Sequence, residues 1–254
     1  MRIVIIGSGN IAHFFVPRLQ SGGHEIIQIY SRELDHAALF ANTSNIASYT
    51  NQLDKIDLSA DAYILAVKDG ALEYLNQTLV LKDKLVIHCA GAVSLDAISD
   101  ISDNVGVIWA LYSINKKNLP ESNNIPLIVE ANTDEGLHNT MLLAKAISEN
   151  VLKADASQRQ MLHLNAVIVN NFTNHLLTIA QKLSEENKLP FEILQPIIEQ
   201  TFIQSKYILP SESQTGPAIR KDEVTIQKHI SLLNQHKEWQ QIYRDISVSI
   251  QETL

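Results

Sequence analysis

Short runs of aliphatic and β-branched residues alternate with longer stretches of helical periodicity through roughly the first 150 residues. RIVIIG, at residues 2–7, is a continuous apolar run of the kind a strand buried on both faces requires. IAHFFVPRLQSGG then has helical spacing and ends in glycines, and EIIQIYS reads as a second strand. HAALFANTS and ALEYLNQTLV are predicted helices, with the strand DAYILAV between them. KLVIHCA, GVIWALY and IPLIVEA are further predicted strands, and DEGLHNTMLLAKAISEN is a helix. Alternation at this spacing predicts parallel strands joined by right-handed crossovers, an α/β doubly wound parallel sheet.

The pattern changes after VLKADASQRQ. From there on the periodicity is helical and strand-like runs are scarce, which divides the chain into a sheet domain, 1–154, and an all-helical domain, 155–254. MLHLNAVIVNNFTNHLLTIAQKL is apolar on nearly every face except one stripe. Such a helix is buried, either within its own domain or against a second subunit.

Composition narrows the partners. The formal net charge is −8 and no block of lysine or arginine occurs, which argues against nucleic acid or an anionic membrane. Cys89 is the single cysteine, so an intrachain disulfide or a cysteine-rich metal site is excluded, and no metal is expected. The N-terminal apolar run stops at Gly7, too short for a signal peptide, and no run has the roughly eighteen apolar residues of a membrane span. The expectation is a cytoplasmic protein acting on a small molecule.

GSGNIA, Gly7 to Ala12, fits G-x-G-x-x-G/A directly after the first strand. In that pattern Gly7 makes the tight turn and Gly9 lets the backbone approach a pyrophosphate. Ala12 lets helix and strand pack closely. The helix N-terminus, with Ser8, Asn10 and Ile11 around it, offers free N–H groups to phosphate. The expected sheet is therefore of the Rossmann type. An acid usually follows the second strand and bonds the ribose 2′-hydroxyl of NAD; here the residues are Ser31 and Arg32. A hydroxyl and a guanidinium suit a 2′-phosphate instead, so NADP is the expected cofactor. Two later strand ends should line the same cleft, with Val67 beside the adenosine side and Ala90 and Gly91 beside the nicotinamide half. His88, inside a predicted strand, is either a satisfied core histidine or a catalyst.

On the long helix, His163, Val167, Asn170, Asn171 and Asn174 fall at offsets that share one helical face. Buried asparagines need hydrogen-bond partners, supplied by a neighbouring helix or by a ligand. Farther on, Thr215-Gly216-Pro217 reads as a helix start, whose N–H groups with Thr215, Gly216 and Arg220 could hold a substrate carboxylate or merely cap a turn. Asp222 is a predicted N-cap for the following helix.

Taken together, GSGNIA, YSR, AVKD, HCAG, QRQMLHLNAVIVNNFTNHL and QTGPAIRKD resemble a bacterial Rossmann-like family of NADP oxidoreductases with a helical C-terminal domain of uncharacterised function. More distantly the chain is similar to pyrroline-5-carboxylate reductase, ketopantoate reductase and the 6-phosphogluconate and β-hydroxyacid dehydrogenase superfamily. The resemblance implies an active site between the two domains and a homodimer formed through the C-terminal helices. It matches Asn171 to the asparagine of the superfamily's catalytic helix, while Val167 stands where a lysine proton donor is usual. His163 is then the substitute donor, since its ordinary pKa suits proton transfer near neutrality. TGPA, Thr215 to Ala218, is similar to the SGPA at the substrate site of pyrroline-5-carboxylate reductase, and GVIWALYSINK departs from a proline-containing stretch usual in the family. The implied activity is NADPH-dependent reduction of a small carboxylate-bearing ketone or imine, ketopantoate-like or pyrroline-carboxylate-like. A non-catalytic dimeric NADP-binding or sensing protein and an NADP–deazaflavin oxidoreductase are the alternatives.

Overall fold

A computed structural model describes residues 1–253 in two compact units, which divide between Val169 and Asn170. The first is built on an eight-stranded sheet. Its strands are β1 (Arg2–Ile6), β2 (Glu25–Tyr30), β3 (Ser48–Thr50), β4 (Ala62–Leu65), β5 (Lys82–His88), β6 (Ser102–Ala110), β7 (Leu127–Ala131) and β8 (Val151–Lys153). They lie in the order β3-β2-β1-β4-β5-β6-β7-β8. The strands from β3 to β6 are parallel to one another, and the expected doubly wound sheet is present. The last two strands reverse: β6 pairs with β7 antiparallel, and β7 with β8 parallel. Residues 111–126, which join β6 to β7, carry no helix. The short edge strands β3 and β8 lacked a readable pattern, since three residues hold too little alternation.

Helices α1 (Asn10–Ser21), α2 (Leu34–Thr43) and α4 (Asp134–Ile147) pack on one face, and α3 (Leu72–Thr78) packs on the other. The alternation within β1 makes both cores. Ile3 and Ile5 enter the cluster with Phe14, Phe15 and Leu19 of α1; Val4 and Ile6 enter the one with Leu72 and Leu75 of α3. A strand dictated by two cores has to be apolar throughout, which is why RIVIIG is a run rather than an alternation. α5 (Ala156–Ala166) belongs to this unit as well, its Leu162 packing on Trp109 and Val107 of β6. The change in sequence pattern at residue 155 thus precedes the division between compact units.

Val167–Phe172 winds as a π-helix before α6 (Thr173–Glu186). The second unit continues through α7 (Gln195–Gln204), α8 (Pro210–Ser213), α9 (Glu223–Leu232) and α10 (Lys237–Thr253). Asp222 caps α9 as expected, its carboxylate accepting the Thr225 N–H at 3.1 Å. The predicted helix start at Pro217 is corrected. Gly216 to Lys221 is a bend and turn, closed by Lys221 N–H to Ala218 O and Asp222 N–H to Pro217 O. Lys221 takes a left-handed φ of 53°, which no helix propagates through. Thr215, Gly216 and Arg220 therefore have no helix N-terminus to offer an anion.

Candidate active site

The strands that build the site end level. Ile6 pairs with Tyr30 on one side and Leu65 on the other, and Leu65 pairs with His88. Gly7, Ser31, Ala66 and Cys89 consequently leave the sheet along one carboxyl edge, the edge where open α/β sheets bind ligands. Gly7 is demanded by the chain itself. Its φ is 123°, its N–H donates to Tyr30 O at 2.8 Å, and a Cβ there would stand 2.2 Å from the Ala66 carbonyl oxygen. Gly9 is different: a Cβ on it would meet only the Ala66 oxygen, at 3.9 Å. Nothing inside the protein requires glycine at that position, which leaves close approach by a ligand as the reason. Gly9 is the N-cap of α1, no side chain caps this helix, and no acid lies in its first turn. Its leading N–H groups and positive dipole end are free for phosphate.

The Ser8 and Ser31 hydroxyls are 2.9 Å apart, tying the glycine turn to the end of β2. Arg32, exposed and in no ion pair among the described residues, follows directly. This donor set, a free helix N-terminus beside a serine pair and an unpaired guanidinium with no carboxylate at 31 or 32, fits a dinucleotide bearing a 2′-phosphate. Asn10 has a second occupation. Its Oδ1 accepts the Lys116 N–H at 3.1 Å, so it docks the 111–126 loop onto the start of α1. That loop is also held where Arg18 donates to Pro120 O at 2.6 Å and where Ile114 is buried in the core. Ile11 packs against the same core, and Val67 is half-buried at the end of β4.

At the next strand end the structure contains a feature that sequence reading missed. Arg159 on α5 is 0% exposed. Its Nη2 donates to Glu130 Oε2 at 2.7 Å, and its Nη1 donates to the carbonyls of Gly91 at 2.9 Å, Ala90 at 3.4 Å and Val93. One guanidinium thereby fixes the loop after β5, the end of β7 and the start of α5. An arginine one turn before His163 on a predicted helix was the available signal. One turn on, the His163 ring lies 5.6 Å from that of Trp109. Gly91 is wedged between them: a Cβ would be 2.5 Å from Trp109 Cε2 and 2.9 Å from His163 Cδ2. Its lack of a side chain is explained by this packing as well as by any need of a cofactor.

His88 is wholly buried, and its Nδ1 accepts the Ala90 N–H at 3.2 Å while Nε2 has no partner. Burial, reinforced by the positive charge of Arg159 and opposed by a backbone interaction at Ser94, pushes its pKa down to about 4. It is neutral at physiological pH and half satisfied, between the two expectations. Burial also raises the pKa of Cys89 and keeps it a thiol.

The structure brings His163 to the β5 edge but does not put all the predicted catalytic residues on one regular helical face. Asn170, Asn171 and Asn174 are exposed residues of the second unit. The intervening π-helix breaks the assumed spacing, because each residue added to an α-helical turn rotates the rest of the helix by about 100°. Thr215, with Pro217 and Ala218, lines an apolar cavity of about 260 Å³ walled by Leu176, Trp239 and Tyr243 in that unit. Arg220 is exposed and outside that lining.

Fold and site together define a Rossmann-type, NADP-dependent oxidoreductase. Residues 2–91 match a domain described as NADP oxidoreductase, coenzyme F420-dependent, and residues 125–250 match a domain of unknown function, DUF2520. A solved protein of Bacteroides fragilis described as an NADP oxidoreductase shares 33% identity over 99% of this chain and 98% of its own, with a TM-score of 0.88. The chain belongs to this NADP oxidoreductase family. A protein of Thermotoga maritima shares the fold at 20% identity and a TM-score of 0.76, over 98% of this chain and 97% of its own. Pyrroline-5-carboxylate reductase of Streptococcus pyogenes does so at 16% identity and 0.64, over 99% and 98%. No curated protein matches the chain. Among the described residues no helix is long and apolar enough to cross a membrane.

Proposed function

We propose that the protein uses NADPH to reduce a small carboxylate-bearing ketone or imine, and that it works as a homodimer. The observation that carries the reading is His163, set against Gly91 and Trp109 at the carboxyl end of β5, where the nicotinamide half of a dinucleotide reaches. NADPH, when bound, supplies the hydride. Gly7, Ser8, Gly9 and the N–H groups from Asn10 and Ile11 hold its pyrophosphate, Ser31 and Arg32 hold the 2′-phosphate, and Val67, Ala90 and Gly91 line its path. His163 gives a proton to the oxygen when the product is an alcohol; an iminium carbon needs none. The exposed Asn170, Asn171 and Asn174, and Thr215, Gly216 and Arg220 of the turn that follows α8, are the remaining candidates for contact with substrate. The fold shared with pyrroline-5-carboxylate reductase and with a Streptomyces aurantiacus imine reductase supports the substrate class. A second reading is favoured by the description of the matching N-terminal domain: exchange of hydride between NADP and a deazaflavin.

Dimerisation is supported by the apolar side chains that the second unit leaves in water, among them Phe172, Ile193, Ile197, Phe202 and Tyr207. A surface of this kind marks an interface.

The test is NADPH oxidation in the presence of keto acids, cyclic imines or an oxidised deazaflavin, after titration with NADPH and NADH. Turnover should fall in His163→Ala and Asn171→Ala while NADPH affinity persists; unchanged turnover in both refutes the assignment. Arg32→Ala should weaken NADPH binding by about 1.5–3 kcal/mol, the range for hydrogen bonds to charged groups, and leave NADH binding nearly unaltered. Equal losses for both cofactors would refute the 2′-phosphate contact.

A further inference from the structure

Arg159 does more than hold a loop in place; it sets which way the loop's peptide planes face. The carbonyls of Ala90 and Gly91 both point at its Nη1. No peptide bond among the described residues is cis. In a trans peptide the C=O of one residue and the N–H of the next point in opposite directions. The N–H groups of Gly91, a buried residue, and Ala92, an exposed one, are therefore turned away from the guanidinium. Neither finds an acceptor among the described residues. An unpaired amide at a buried glycine is a cost that folded proteins rarely leave uncompensated. Consecutive N–H groups held in a concavity are a general device for binding an oxygen that carries negative or partial negative charge. The guanidinium behind the carbonyls polarises both peptides and strengthens their N–H groups as donors.

From this we infer that the Gly91 and Ala92 amides form a donor pair for the carboxamide oxygen of the nicotinamide, with Arg159 as the residue that positions them. The inference rests on the NADPH reading above. It adds the group that orients the nicotinamide ring, which decides the face presented for hydride transfer. Position favours the cofactor over a substrate carboxylate. With its 2′-phosphate near β2 and its pyrophosphate at the β1–α1 turn, a dinucleotide extends over β4 and β5, the next strands in the sheet. Roughly 10 Å separates β1 from β5 at the usual strand spacing. Glu130 holds the other side of the guanidinium, so Arg159 has a fixed orientation and does not itself reach the ligand.

The direct test uses the wild-type protein labelled with ¹⁵N at glycine and alanine, titrated with NADPH and with 2′-phospho-ADP-ribose, which lacks the nicotinamide. The Gly91 and Ala92 amide protons should move downfield with NADPH and stay in place with the fragment. Equal movement with both probes overturns the inference, as does no movement with either when both bind; movement only on adding pyruvate would assign the amides to a carboxylate and likewise overturn it. If neither NADPH nor the fragment binds, the cofactor reading itself has failed and takes the inference with it. As a second measure, Ala92→Pro removes one donor and Arg159→Lys releases the carbonyl clamp while keeping the charge. Each should weaken NADPH binding about 3- to 10-fold, the equivalent of one neutral hydrogen bond, while affinity for the fragment holds within about twofold. Equal weakening toward both ligands would reduce Arg159 to a structural role and overturn the proposal.

Discussion

The two units of this protein solve the problem of apolar surface in different ways. The sheet unit buries its aliphatic residues between strands and helices on both faces, in two large clusters and a smaller one. In the helical unit the apolar residues buried by the chain, among those described, are Ala218, Ile226, Ile230 and Leu233, while Tyr207 remains 81% exposed. A fully buried Val, Leu, Ile or Phe is worth about 1.5–3 kcal/mol relative to an exposed one, so the sheet unit has its stability within itself. The helical unit leaves apolar faces exposed, among them those of Ile193, Ile197, Phe202 and Tyr207. A helix stripe needs a partner; a strand in a doubly wound sheet brings its partners with it.

Two glycines test that contrast most sharply. Gly7→Ala in the sheet unit meets the Ala66 oxygen at 2.2 Å with φ at 123°. Backbone strain and overpacking together should cost about 4 kcal/mol or more, measured by denaturant unfolding, and NADPH binding should be lost. A second effect is confined to the sheet unit and depends on pH. His88 binds its proton in the unfolded chain below an ordinary pKa near 6.5, but in the folded protein only below about 4. The unfolded state therefore takes up more protons between these values, and stability should fall as pH drops through that window, by about 3 kcal/mol in the limit. His88→Leu should flatten this part of the profile, and an unchanged slope would reassign it.

In the helical unit, Phe202→Glu should leave the unfolding of the sheet unit untouched and convert the proposed dimer to monomer in sedimentation, because a carboxylate cannot be buried unpaired at an apolar interface. A monomeric wild type would refute the dimer. The smallest effect belongs to Gly216→Ala. Its φ is 109°, but no atom lies within 4 Å of the added Cβ, so only strain remains and about 1 kcal/mol is expected.

The sheet unit was the more legible of the two for the same physical reason. β1, β2, β4 to β7 and α1 to α4 are each encoded by a local period, and GSGNIA sits where a strand meets a helix, so the nucleotide turn follows from neighbours in sequence. Ser31 and Arg32 were found because the end of β2 is level with the end of β1, a register that every parallel sheet of this type shares. Helix α5 and the chain beyond it were harder to place. Five helical offsets put His163 and the three asparagines on one face, and the π-helix at Val167–Phe172 undid that sum. Thr215–Arg220 looked like a helix start and is a turn, because Lys221 adopts a left-handed conformation that its side chain does not announce.

The sequence alone determined the cofactor class, the doubly wound core of the sheet, and the identity of the residues at its carboxyl edge, because strand period, helix caps and the glycine spacing are local properties of the chain. Only the tertiary structure decided why Gly91 has no side chain, which way the Ala90–Val93 peptides face and what Arg159 does. Those answers depend on Trp109, His163 and Glu130, residues far apart in the sequence that meet only after β5, β6, β7 and α5 have packed.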